Sequence, residues 1–506
     1  LNITSNRPTE EFEGSFSLAL NSEASQGVET QAIFSGPIAD NLRGRLVVDY
    51  QDVDGWVENR FTGNTLQSGK DTTIRALLDW DISDTLTAEF LYQYNDLDRN
   101  GKPREVVECF NPGVIPRTGF NPATRGFDCQ LNASNQTGNF QRSSPGGPLF
   151  DPGEPFTSEA HIAGVTLNWD LQNFNLTSLT NFTTYEINDN FSGDLLPVER
   201  ANIQNTEDYE QVYQELRAAS NGDGAISWML GGTYFKGDLE AFQVVNAAFA
   251  NTSRSEFQRS DTESLSIFGQ VDWAINDQLS LGVGARFTDE DRNGAKAQAQ
   301  APLYGTIPNT LDNPATGAGC GPGFRACTNG DGSPIRGSLN DSGLSYNAAL
   351  QYRTNESNMF YVSVATGFKS GGFDLRGAGN PDKFVFPEEE SINYEIGGKH
   401  TLADGAVRLN WTVFNLEVDD LQVSTNDPVL IQQVVGKAQV TSKGIEIDGA
   451  WAASDTLTLT FTAALLDSEF DQFTSECHAG QTAATGCSGG LFVQDGLTLP
   501  QPPEKQ

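Results

Sequence analysis

A period-two alternation of apolar and polar residues recurs along the chain from about residue 12 to residue 473. Side chains alternate between the two faces of a β-strand, so each register of such a segment lies on one face. The apolar registers carry no charged residue. They read Ile74, Ala76, Leu78, Trp80 and Ile82; Ala163, Val165, Leu167, Trp169 and Leu171; Leu265, Ile267, Gly269, Val271, Trp273 and Ile275; Leu344, Tyr346, Ala348, Leu350 and Tyr352; and Leu457, Leu459, Phe461, Ala463 and Leu465. The pattern predicts strands with one apolar and one polar face.

Two all-β architectures fit strands of this kind. A soluble β-sandwich buries the apolar face between two sheets. A transmembrane antiparallel β-barrel turns the apolar face towards lipid and the polar face towards a wet lumen. Soluble β domains are the commoner class, so the barrel needs further support.

Aromatic residues at one level of the strands supply the first support. Five of them stand just before a short polar turn: Trp80, Trp169, Trp273, Tyr352 and Trp451. Trp and Tyr favour the membrane–water boundary, because the ring is apolar and its N–H or O–H is wet. A sandwich gives no reason for this repetition. We therefore predict that these five residues form an aromatic girdle.

The lengths of strands and connections supply the second support. Short turns mostly alternate with long excursions at about 98–158, 244–262, 291–341, 371–389 and 471–506. Outer-membrane barrels have short periplasmic turns and long extracellular loops. The eleven residues 265–275 extend over roughly 36 Å at ~3.3 Å per residue. Tilted by ~45°, they cross roughly 25 Å of hydrocarbon.

The tally predicts about seventeen strands. We place them near 12–20, 27–37, 42–51, 72–82, 86–97, 159–171, 174–190, 207–220, 225–243, 263–276, 278–290, 342–354, 358–370, 390–402, 406–420, 437–453 and 455–470. Bacterial single-chain barrels use even numbers of strands, because an open edge in lipid leaves backbone groups unpaired. The polar, proline-rich residues 496–504 do not resemble a closing strand. We therefore expect a barrel truncated at its C-terminus.

Charge and composition exclude several functions. The 31 Lys and Arg against 67 Asp and Glu give a net charge of −36, which excludes nucleic acid as a default partner because phosphate binding needs clustered cations. No apolar run approaches the ~18 residues of a membrane-spanning helix. Acidic runs at 289–291, 388–390 and 419–420 are expected at the strand tops, as a solvated rim.

Residues with catalytic or metal-binding patterns are scarce. The three histidines are His161, His400 and His478, and they show no paired metal-ligand spacing. Nothing specifies a nucleophile, so a Ser–His–acid hydrolase is disfavoured. We expect no enzyme activity, cofactor or metal site, and the sequence assigns no ligand-binding residue.

The six cysteines fall in three pairs, each within one predicted external loop. The pairs are Cys109 with Cys129, Cys320 with Cys327, and Cys477 with Cys487. Six cysteines allow 15 pairings, and we favour the local ones because partners in different loops need not meet. Disulfides suit the oxidising periplasm and cell surface. Free thiols or a metal site remain the alternative, although no Cys-X-X-Cys motif supports metal.

Six stretches resemble the TonB-dependent receptors of the Gram-negative outer membrane. They are LNITSNRPTEEFEG (1–14), SVATGFKSGGF (363–373), PEEESINYEIGGK (387–399), FNLEVDDLQV (414–423), KGIEID (443–448) and GLTLPQPPE (496–504). Each stretch is weak alone, but together they occur in the family's order and span nearly the whole chain. The resemblance implies that residues 1–10 end a plug domain or its linker. It also implies that residues 11–506 belong to a 22-stranded barrel of which about seventeen strands are present.

The resemblance also implies a function. TonB-dependent receptors take up scarce nutrients across the outer membrane, with energy from the TonB–ExbB–ExbD complex acting through the plug. Ferric siderophores and other iron complexes are their commonest cargo, so an iron chelate is the expected ligand and outer-membrane lipid the expected surroundings. Two rivals stay open: a passive outer-membrane porin, and a secreted soluble β protein that binds carbohydrate.

Overall fold

A computed structural model gives the fold of the chain. It describes residues 5–22, 26–59, 63, 65–102, 134–135, 155–192, 201–222, 224–247, 252–302, 334–374, 384–427, 432–477 and 481–499. No helix in these ranges is long and apolar enough to cross a membrane.

One antiparallel sheet of seventeen strands dominates the molecule. The strands are β1 Glu13–Asn21, β2 Gly27–Ala39, β3 Leu42–Val53, β4 Ser68–Ser83, β5 Leu86–Asn100, β6 Pro155–Leu171, β7 Phe174–Ser192, β8 Ala201–Ser220, β9 Ile226–Ala247, β10 Thr252–Ala274, β11 Leu279–Pro302, β12 Ile335–Asn355, β13 Asn358–Lys369, β14 Glu389–Leu402, β15 Val407–Asp427, β16 Gln432–Ser454 and β17 Leu457–Gln472. The predicted all-β fold and the predicted number of strands are confirmed.

Each strand pairs with the next one along the chain, so the sheet is a continuous meander. β1 pairs with β2, β2 with β3, and so on to the pairing of β16 with β17. Short turns join the strands at one end, which we call the short-turn end; the long connections lie at the other, the loop end. Within the described residues the first and last strands do not pair with each other, so the sheet has two edges.

Several strands run beyond the predicted ones at the loop end. β10 begins at Thr252 rather than near 263, and β11 continues to Pro302 rather than to 290. The prediction of a long loop over 244–262 is therefore wrong for most of its length. Above the apolar band, positions in the apolar register carry charges such as Arg259 and Asp261, so the alternation disappears while the hydrogen-bonded ladder continues.

No second sheet covers the apolar face in the described structure. Leu78, Leu167 and Val271 are 38%, 39% and 45% exposed. A sandwich core would bury these side chains almost completely. The apolar register therefore faces away from the protein, as a barrel requires and a sandwich does not.

The last described residues return to the outer edge of β17. Phe470 donates its backbone N–H to Leu497 at 3.0 Å, and Leu499 donates to Ser468 at 3.1 Å. Thr498 bridges Glu469 in antiparallel fashion. Leu499 also packs against a buried apolar cluster of Ala438, Val440, Phe470 and Phe473. Residues 497–499 thus occupy part of the backbone edge that β17 leaves open.

Candidate functional site

The five predicted girdle residues lie at one level on the apolar face, next to the short-turn end. Trp273 is opposite Leu281, Tyr352 opposite Phe360, and Trp451 opposite Leu459. Trp80, Trp169 and the other three are between 41% and 49% exposed. Their rings are available to a surrounding medium; their role as a membrane girdle stays a prediction.

A second aromatic level, which the sequence analysis missed, lies nearer the loop end of the same face. Its members are Tyr92, Tyr94, Tyr234, Tyr346 and Tyr394. Tyr346 stands six residues from Tyr352 along β12, and Tyr234 pairs with Leu265 at the top of the band on β10. The signal was present in the sequence, because these tyrosines share the apolar register. Aromatic residues at both boundaries are typical of outer-membrane barrels.

Above the tyrosine level, charged side chains occupy the positions of the apolar register. On β9 and β10 these are Lys236, Asp238, Glu240, Arg259 and Asp261. Arg259 lies 3.0 Å from Asp261 and 3.5 Å from Glu240. The apolar band therefore ends sharply, and a charged extension of the strands continues beyond it.

The polar face carries the chain that precedes β1. Arg7 reaches across to β4, where Nη2 lies 2.9 Å from Asp79 Oδ1 and Nε donates to Asp79 Oδ2 at 3.2 Å. Arg7 also pairs with Glu89 on β5. Asp79 is buried, so the guanidinium supplies the charge that this carboxylate needs away from water.

Neighbouring residues of the same segment hold it along the sheet. The Thr9 backbone N–H donates to Ser35 Oγ at 3.0 Å, and Arg75 donates to Ser5 Oγ at 2.7 Å. Arg43 lies 2.8 Å from Glu10. Residues 5–10 are thus tied to β2, β3, β4 and β5 on the polar face, close to the short-turn end.

At the loop end, the segment that contains Phe373 and Phe384 folds over the polar face of β11 and β12. Phe373 stacks on Phe384 with ring centroids 5.3 Å apart. Beneath Phe373 lie two glycines: a Cβ at Gly294 would come 2.3 Å from its ring, and one at Gly337 would come 2.8 Å from it. Because Gly294 and Gly337 carry no side chain, they leave the space that the ring occupies, which we call the seat of Phe373.

A disulfide joins Cys477 and Cys487, with Cα atoms 5.7 Å apart. It closes a small lobe built from the strands Thr474–Glu476, Cys487–Ser488 and Leu491–Val493. The lobe follows β17 at the loop end. Cys109, Cys129, Cys320 and Cys327 fall outside the described residues.

Two of the histidines lie on the apolar face rather than in a polar site. His161 contacts Tyr92 at 3.0 Å near the tyrosine level. His400 accepts from Trp411 Nε1 at 3.1 Å near the girdle level. His478 is outside the described residues. Within the part of the chain that the structure describes, no three His, Cys, Asp or Glu side chains form a group that could hold a metal ion.

The acidic runs lie at the loop end, with one correction. Residues 289–291 are within β11 rather than at its end, because that strand continues to Pro302. Glu388 precedes β14, and Asp419 and Asp420 lie at an irregularity in β15. Burial, and then the carboxylates of Asp341, Glu390 and Asp420, raise the pKa of Glu388 above its ordinary value. The loop end of the sheet is therefore strongly acidic.

Comparison with known proteins agrees with this arrangement. The family model "TonB dependent receptor-like, beta-barrel" matches residues 110–486. The pesticin receptor of Yersinia pestis is 24% identical over 303 residues, which cover 58% of this chain and 40% of that receptor. The chain thus spans about two fifths of the length of this curated relative.

Two solved structures share the fold. The ferric yersiniabactin uptake receptor FyuA from Yersinia pestis superposes with a TM-score of 0.67 at 16% identity, over 92% of this chain and 62% of that one. The siderophore receptor PiuA from Acinetobacter baumannii gives a TM-score of 0.64 at 14% identity, over 99% and 69%. With the family model covering well over half of its residues, the chain belongs to the TonB-dependent receptors, as part of their β-barrel.

Proposed function

We propose that this chain is the barrel wall of an outer-membrane receptor that takes up a scarce nutrient, with a ferric siderophore or another iron complex as its ligand. The observation that carries the proposal is the family match over residues 110–486. The names of the structural relatives, which include a ferric yersiniabactin uptake receptor and a siderophore receptor, support an iron chelate. The family consists of receptors and transporters, which agrees with the expectation that the chain is not an enzyme.

The apolar face supports the membrane location. A band of exposed Leu, Ile, Val and Phe between two aromatic levels matches what lipid selects, whereas water would disfavour so large an apolar surface. In this location the short turns would face the periplasm and the long connections the cell exterior. Among the described residues, no strand pairs with the outer edge of β1, and only residues 497–499 pair with that of β17. Closure in lipid would need further strands, in line with the 22 that the family implies.

We further propose the domain boundary that the resemblance implies. Residues 1–10 would end a plug or its linker, and residues 11–506 would be barrel. The ties from Arg7 and Thr9 to the polar face support this, because they lead the chain ahead of β1 into the side that a lumen would occupy. The plug would couple the receptor to TonB, ExbB and ExbD.

Uptake measurements test the function. Cells that carry the complete gene should accumulate radiolabelled ferric siderophore under iron limitation, and deletion of the gene or of tonB should abolish this accumulation. Uptake that persists without tonB and scales linearly with external concentration would instead identify a passive porin. A protein that is monomeric in buffer without detergent would point to the soluble carbohydrate-binding alternative.

A further inference from the structure

An unusual set of cations lies on the polar face at the short-turn end of β12 to β17. Arg353, Lys399 and Arg408 line one cavity of about 570 Å³. Their alternation with outward residues such as Tyr352 and Leu409 places all three on the polar face. The cavity therefore opens towards the side that a barrel encloses.

Strand register brings the three cations together. Arg353 is opposite Met359, Met359 opposite Lys399, and Lys399 opposite Asn410, so they occupy one rung across four strands. Arg408 lies two residues before Asn410 on the same face of β15, opposite Thr401. Neighbouring strands are ~4.8 Å apart, so all three long side chains can reach one small anion between them.

The carboxylates nearby do not neutralise this set. Asp448 continues the rung, but its Oδ2 accepts from Asn410 Nδ2 at 2.9 Å, so an amide stands between it and Lys399. Glu356 lines the same cavity from the turn. Among the described residues neither carboxylate forms an ion pair with Arg353, Lys399 or Arg408.

Most other cations on the polar face are placed differently. Arg7 pairs with Asp79, Arg99 with Asp71, and Arg217 lies 3.3 Å from Glu215. In a chain of net charge −36, acid partners are abundant, and most of these cations stand beside one. Three neighbouring cations without such a partner keep their attraction for an added anion.

The charge at the loop end of the sheet is different. There Glu388 lies near the carboxylates of Asp341, Glu390 and Asp420. An anion in the cavity instead lies beside three cations. Asn355 and Asn410, together with the hydroxyls of Thr460 and Thr462, add hydrogen-bond donors around the cavity. Arginine is suited to planar carboxylates because its fork can donate two parallel hydrogen bonds.

We propose that Arg353, Lys399 and Arg408 form a carboxylate-binding site on the inner wall of the barrel, at its short-turn end. The carboxylate can belong to a small molecule or to a polypeptide that lies inside the barrel. A role of this site in nutrient uptake rests on the proposed function. The binding of a carboxylate at equilibrium does not depend on that function.

Calorimetric titration with citrate tests the small-molecule source. The protein is produced in membranes, extracted in detergent and titrated at low ionic strength. The double variant R353Q/K399Q should bind citrate roughly thirtyfold more weakly, as two charge-assisted contacts are lost. The matched control K437Q/K443Q removes the same charge from residues that pair with Asp420 and Asp467, and its affinity should stay within about twofold. R408Q should weaken binding about fivefold.

Zero-length carbodiimide cross-linking tests the polypeptide source. If a protein carboxylate occupies the site, citrate will not bind, and Lys399 will be found by mass spectrometry in an amide with an Asp or Glu of the protein other than the lining residues Glu356 and Asp448. That cross-link should disappear in R353Q, which leaves the lysine in place but removes its neighbour. The proposal is overturned if neither citrate binding nor the cross-link is observed. It is also overturned if the two double variants lose citrate affinity equally. Neither result bears on whether the receptor takes up iron.

Discussion

Arg7 and Asp79 face each other across the polar side of the sheet although 72 positions separate them, with Nη2 2.9 Å from Oδ1. Asp79 is buried on β4, whereas half of the Arg7 side chain is exposed. The pair therefore ties residues 5–10 to the wall of the sheet. Force applied to the chain ahead of β1 would reach this pair before it reached the first strand.

Replacement of Arg7 by glutamine should loosen residues 5–10. Because the arginine is half exposed, we expect a local loss of about 1 kcal/mol. The Thr9 amide, which donates to Ser35, is the reporter: its hydrogen exchange should accelerate about fivefold. The control is R45Q on the same face of β3, where Arg45 pairs with no acid in the described structure. Equal acceleration in both variants would show that Arg7 is not the anchor.

Alanine at Gly294 should displace the Phe373 ring from its seat. The added Cβ would come 2.3 Å from the ring, and relief of such overpacking costs about 1–3 kcal/mol. Gly269→Ala is the control, since its Cβ would meet its nearest neighbour at 3.5 Å. Unfolding midpoints in detergent measure both variants. In an F373A background the G294A substitution should become nearly neutral; a full cost there would contradict the seat.

Loss of the Cys477–Cys487 disulfide should open the lobe after β17. Closure of a ten-residue span removes chain entropy from the unfolded state, and its loss costs about 2–3 kcal/mol. Brief proteolysis of C477S/C487S should cut between residues 474 and 493 while the sheet stays intact. The unmodified protein should show the same cleavage only after reduction. Resistance of the double variant to protease would mean that packing, not the disulfide, holds the lobe.

The raised pKa of Glu388 predicts a pH dependence at the loop end. The folded protein favours the neutral acid, so it binds more protons than the unfolded chain between the ordinary and the raised pKa. The stability that this carboxyl contributes is therefore complete below the ordinary value and is lost as the pH rises through the raised one.

Variant E388Q should remove that component. Unfolding midpoints from about pH 4 to about pH 7 should fall less steeply in E388Q than in the unmodified protein, with E388Q the more stable of the two at neutral pH. E356Q, at the short-turn end, removes the same charge far from Glu388 and serves as the charge-matched comparison. An identical slope in E388Q and the unmodified protein would show that Glu388 does not cause the pH dependence of stability.

The sequence predicted the strands wherever one register was apolar, because the grouping of apolar side chains on one face and the β period act on the same residues. Thus the band from Leu265 to Ile275 and the level of Trp273 were found. The charged extension of β10 to Thr252 was not predicted. Its residues do not alternate between apolar and polar, and only the backbone hydrogen bonds to β11 identify it as a strand. The anchor at Asp79, the seat at Gly294 and the cations at Lys399 each join residues that are distant in sequence. No local pattern records such contacts; they exist only once the register between strands is set.

Two adjacent residues of β10 provide the sharpest test of which side faces lipid. Val271 is exposed on the apolar face near the middle of the band, and Gln270 lies on the polar face with its Nε2 2.9 Å from Asp272. Arginine at position 271 should cost about 2–4 kcal/mol, the depth-dependent cost of a cation on the lipid face of a barrel. Arginine at 270 should cost less than about 1 kcal/mol, because the polar face is wet and Asp272 can accept from the new guanidinium. Urea titration in phospholipid vesicles measures both free energies. Equal costs would mean that the two faces meet the same medium, and the barrel orientation would have to be abandoned.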